Sequence, residues 1–168
     1  MLVVSISDFL WFVDHALDEM MTIVGQLGDD TANRRPDLAG ANSPYAILRH
    51  CLGVMEYWGG AMVAGRVIAR DRDAEFRAHG PVAELLHRTV AARRQLAADL
   101  SAAEPLAAVR GQPLAAVRGP VDPEDAELPF GRTQGGVLLH ILEELAQHLG
   151  QMQLSRDVLL GVRAAGQG

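Results

Sequence analysis

Apolar residues along this chain recur at helical rather than strand spacing. Four long stretches, at about 7–27, 43–69, 81–100 and 134–160, carry them three and four positions apart with polar residues between. The ends of these stretches are punctuated as helix ends. Ser7 or Asp8 is placed to cap the first stretch, which runs out near "LGDD". Ser43 before Pro44 opens the second: a hydroxyl accepts from the free amides of a first turn, and the amide that proline lacks has no partner there anyway. "GPVAELL" opens the third. No stretch alternates β-branched with polar residues as a half-buried strand does. The pattern predicts an all-α fold, a four-helix bundle that runs up and down or carries a crossover connection, with residues 1–168 as a single domain.

Between the third and fourth stretches, "EPLAAVRGQPLAAVRGP" repeats PLAAVRG after eight residues. A solenoid needs about three units or more, so two units read as a local duplication that lengthens a loop. Residues 101–132 are therefore expected to form the longest irregular connection.

The fourth stretch carries "HILEELAQHLGQ" at 140–151, in which His140, Glu144 and His148 stand four residues apart. At ~100° per residue, Val137, Leu138, Ile141, Leu142, Leu145, Leu149 and Met152 make one broad apolar face. His148 falls within about 60° of its centre and Glu144 within about 100°, whereas His140 at about 140° and Glu143 at about 160° should meet water. In the second stretch Ile47, Leu48, Cys51, Val54, Met55, Trp58 and Met62 face inward, and His50 sits at the margin, about 90° from the centre. His15 and His87 lie on polar sides and His79 in a loop. Only His50, Glu144 and His148 thus occupy inward margins, where a carboxylate is costly unless it is paired, hydrogen-bonded or bound to a metal. Two readings fit the spacing: a metal-free His–Glu–His hydrogen-bond network, or a site for a divalent metal. Nitrogen and carboxylate donors suit zinc, nickel or iron, and three protein ligands leave a position open.

The rest of the composition narrows the function. The net charge of −6 disfavours nucleic acid as a partner, since binders of phosphate backbones show a basic face. All 15 basic residues are arginine. No run approaches the ~18 apolar residues of a membrane span. The N-terminus has no basic start to an apolar segment, and one cysteine excludes an internal disulfide, so a cytoplasmic location is expected. That cysteine, Cys51, reads as a core residue rather than a nucleophile. Arg93 falls within about 20° of the apolar centre of the third stretch, where it snorkels out, pairs with an inward carboxylate or holds an anionic substrate by its planar fork. Arg77 is a second candidate for an anion. Trp11 points away from the first apolar face and would suit either a homodimer interface or packing beneath the long loop.

Taken in order, "SPYAILRHCLGVMEYWGGAMVAGR", "RDRDAEFRAHG" and "GVLLHILEELAQHLGQMQLSRDVLLG" resemble the DinB-like superfamily of four-helix bundle metalloproteins. Within it they are similar to the mycothiol-dependent branch, which includes the N-terminal domain of maleylpyruvate isomerases. The specific elements are the second-helix histidine and, some ninety residues later, an acid four residues before H-x-G-Q. The resemblance implies His50, Glu144 and His148 as metal ligands, with Glu144 where much of the superfamily has a histidine. It further implies mycothiol as co-substrate and an electrophile as its partner, for S-transfer or thiol-assisted isomerisation. Arg77 and Arg93 remain candidates for substrate binding. The other reading is a non-catalytic metal-binding or stress-related dimeric helical module, in which a further protein ligand such as His140 closes the site.

Overall fold

The computed structural model describes residues 4–110 and 129–161, with the side chains of 129 and 130 left aside. Every regular element among these residues is helical: α1 (Ile6–Ala32), α2 (Pro44–Met55), a π-helical continuation of it (Glu56–Val63), α3 (Arg72–Arg77), α4 (Val82–Asp99), α5 (Pro129–Arg132) and α6 (Gln134–Leu160). The fold class is the all-α one that the periodicity predicts. The second PLAAVRG unit lies outside the described residues.

Local chemistry sets most of the boundaries. The cap of α1 is Ser5, two residues before the first expected candidate: its Oγ accepts from the Asp8 amide at 3.0 Å, while the Asp8 carboxylate accepts from the Ser5 amide at 3.3 Å. Gly28, at φ 66°, interrupts α1 where "LGDD" was expected to end it, yet one further turn runs on to Ala32. Ser43 caps α2 as expected, accepting from the Ala46 amide at 3.2 Å. The second helix stops at Val63 rather than near 69. Its last turns widen, so that the Ala64 N–H donates to the Gly59 carbonyl five residues back at 3.0 Å. Gly65, at φ 77°, then turns the chain away. Thr133 caps α6 and left-handed Gly161 ends it.

Helix α1 packs against α6, α4 and α2, and α2 packs against α6. Leu17, Met20, Ile23, Ile47, Leu48, Met55, Leu85, Leu96 and Ile141 are fully buried between them. The expected inward face of the second helix is buried throughout, Cys51, Trp58 and Met62 included. Residues 101–110 contain no helix, and four-residue α5 is the regular part of the connection among the described residues. Buried Gln134, at the start of α6, holds that connection by accepting from the Glu104 amide at 2.9 Å and donating to the Ala108 carbonyl at 3.1 Å. Short α3, which no periodicity announced, packs on α2. No helix among the described residues is long and apolar enough to cross a membrane.

Candidate metal centre

Three donor side chains from two bundle helices converge on one point. Helix α2 supplies His50, and α6 supplies Glu144 and His148 one turn apart, on the same side of the helix. The His50 Nε2 lies 3.3 Å from Glu144 Oε2, and the His148 Nε2 lies 3.4 Å from the same oxygen. One donor atom from each residue falls within 4.8 Å of the other two, a grouping able to hold a metal ion. The two imidazoles meet edge to face, with centroids 4.8 Å apart.

The wheel placed His50 only at a margin, but it is 1% exposed. Helix α3 accounts for the difference by covering that side of α2. Its Phe76 stacks on the His50 ring at 4.2 Å, and its Glu75 carboxylate lies 2.8 Å from His50 Nδ1. Arg70 in turn grips Glu75 with two hydrogen bonds of 2.9 Å, from Nε and from Nη2. On the other side of the centre, His148 Nδ1 lies 3.0 Å from Gln151 Oε1. Both outer ring nitrogens therefore face oxygen acceptors. Both Nε2 atoms then point at the Glu144 carboxylate. Two imidazole nitrogens and a carboxylate meeting at one point are a donor set that fits a divalent metal.

A family model described as mycothiol-S-transferase matches residues 8–161, a span that covers this centre and nearly all of the bundle. The chain belongs to the mycothiol-S-transferase family. No curated protein and no solved structure matches it. In this family member the electrostatics of the centre follow from its contacts. The hydrogen bonds from His148 and then His50 hold the Glu144 carboxyl far below the usual carboxylate range, against the opposing pull of burial. Burial alone would lower the pKa of His148, but its bonds to Glu144 and Gln151 outweigh that and raise it. For Glu75, burial pulls upward and loses to the bonds from His50 and Arg70, so it too stays ionised.

The remaining sequence candidates lie elsewhere or in different settings. His140, expected to meet water, is instead largely covered: its side chain is 11% exposed and its ring meets Trp58 edge to face at 4.7 Å. The widened π-helical turns carry Trp58, and a wheel drawn for α6 alone contains no such neighbour. Glu143 is exposed as expected. Arg93 does reach out of the bundle: it pairs with Asp14 at 2.9 Å and Asp18 at 2.7 Å, both on α1. Arg77 is exposed at the end of α3, and His15, His79 and His87 are exposed as well. Sequence reasoning assigned no role to Gly53, Arg70, Glu75, Phe76 or Gln151, although Gln151 closes the H-x-G-Q element. Only Gln151 carried a positional signal, three residues after His148 on the same helix.

Proposed function

We propose that this protein is a divalent-metal-dependent S-transferase whose co-substrate is a low-molecular-weight thiol, mycothiol by family membership. The observation that carries the reading is the convergence of two imidazole Nε2 atoms on the ionised Glu144 carboxylate, with both Nδ1 atoms already engaged. In it His50, Glu144 and His148 hold the ion, with zinc favoured over nickel or iron for this donor set. A divalent cation held there lowers the pKa of a thiol that reaches it and keeps the sulfur as nucleophilic thiolate. Charge at the centre supports an anionic sulfur. Arg70 offsets Glu75, which leaves Glu144 as the one charged group among the three donors, so a divalent centre retains a positive charge. No protein nucleophile is needed, and Cys51 is ill-suited to be one: burial pushes its thiol pKa well above the usual range.

In the transfer, the thiolate sulfur forms a bond to the electrophilic carbon of the second substrate, and the leaving group departs with the bonding pair it shared with that carbon. Reversible addition of the same thiolate would give isomerisation instead. The reading places the protein in the cytoplasm and allows a homodimer through Trp11, which is 61% exposed beside the exposed Phe12. The test has two parts, metal analysis of the purified protein and mycothiol-dependent conjugation of monobromobimane. Stoichiometric metal with conjugation that a chelator abolishes is the expected result. Stoichiometric metal with no thiol-dependent rate for any electrophile would instead favour the non-catalytic module. His140 Nε2, 3.9 Å from Glu144 Oε1, is the residue to examine as a closing ligand in that case.

A further inference from the structure

Helix α3 is not one of the four bundle helices, yet two consecutive residues of it, Glu75 and Phe76, close on His50 from its edge and its face. We infer that Glu75 is a positioning residue of the metal centre, fixing Nδ1 as the hydrogen-bonded edge and the ring plane of His50 so that Nε2 faces Glu144 and His148. The inference deepens the proposed function, on whose reading of the three donors it rests.

Three features of the packing support it. The first is the donor accounting at His50 Nδ1. This atom lies 2.8 Å from Glu75 Oε2 and 3.4 Å from Arg70 Nη2. Arginine only donates and a carboxylate only accepts, so the two contacts make opposite demands on the nitrogen. A bare Nδ1 would set two lone pairs against each other at the shorter distance, whereas a protonated one makes a short charge-assisted bond there. The shorter contact decides, and Nδ1 carries the proton. The second feature is charge balance. Arg70 and Glu75 are 6% and 4% exposed and form a two-bonded pair, so the carboxylate orients the ring without adding net charge to the centre.

The third is a place reserved for the carboxylate on α2 itself. Gly53 lies three residues after His50, on the same side of the helix. A Cβ built on Gly53 would coincide with the Glu75 carboxylate. Any side chain at 53 therefore drives Glu75 off the backbone of α2 and away from His50. Gly53 is buried within a helix, an unfavourable place for glycine compared with alanine, and this contact explains its presence.

The experiment reads the tautomer and the metal separately. In metal-free, 15N-histidine-labelled protein, long-range proton–nitrogen spectra are expected to show His50 protonated at Nδ1. Glu75→Ala should convert that signal to Nε2–H or a mixture, and zinc affinity, titrated against a chromophoric chelator, should fall roughly 10–100-fold. Gly53→Ala should do the same without touching the carboxylate's own chemistry, which covers the case in which Glu75→Ala fails to fold. Glu75→Gln combined with Arg70→Met restores an acceptor and removes the buried charge, and should recover most of the loss. An unchanged His50 tautomer in Glu75→Ala or Gly53→Ala overturns the inference, as does a shifted tautomer with undiminished zinc affinity. Wild-type protein that binds no zinc, nickel or iron overturns the metal reading instead, and leaves the tautomer result to be judged alone.

Discussion

His148 takes its polar partners from its own helix: Glu144 one turn before it at 3.4 Å and Gln151 one turn after it at 3.0 Å. His50 takes none from α2. Its edge partner Glu75 stands 25 residues further along the chain and Glu144 stands 94 further. The half of the centre on α6 thus comes into register whenever that helix forms, because i,i+3 and i,i+4 neighbours share a face. The half around His50 exists only once α3 has docked against α2 with Arg70 and Glu75 already paired. A local half keeps its geometry through small motions of the bundle, whereas a long-range half depends on the packing that creates it. The two should therefore respond differently to perturbation.

The largest expected effect is that of Glu144→Gln, which removes the anionic donor common to both halves while keeping its volume. Metal affinity should fall by more than the roughly 10–100-fold that an outer partner is worth, with helicity unchanged by circular dichroism. Retained metal in this variant would dissolve the comparison, since the two halves would then share no ligand. Gln151→Ala comes next and should cost less than Glu75→Ala. It removes a neutral acceptor from a half-buried ring, at or below the low end of that roughly 10–100-fold range. A chelator titration giving the reverse order would mean that the local half is the dependent one.

Stripping the metal should leave the bundle helical, because its core residues Leu17, Met20, Ile23 and Leu85 are buried without any part in the centre. Melting temperature should still fall, as a ligand at a hundred times its Kd contributes about 2.7 kcal/mol. Loss of helicity on chelation would show that the centre holds the bundle together. The smallest effects are expected away from both halves. Alanine at His15, His79 or His87 should leave metal content at the wild-type level. Arg93→Ala should do so too, at a cost of at most about 1 kcal/mol in denaturant melts, since Asp14 and Asp18 are largely exposed.

Much of this molecule is legible in its sequence. A period near 3.6 marks each of the four long helices and the side it buries, Ser43 and Pro44 mark where α2 begins, and the four-residue spacing of Glu144 and His148 sets them on one side of α6. These are local properties, determined by the geometry of a single helix. Such a period measures direction about a helix's own axis and is silent on what stands in that direction. Tertiary structure alone decided that Trp58 covers His140, that α3 seals His50, and that the bare α2 backbone at Gly53 receives a carboxylate. Each joins elements distant in sequence, and such contacts come from the docking of whole surfaces, which no single helical period encodes.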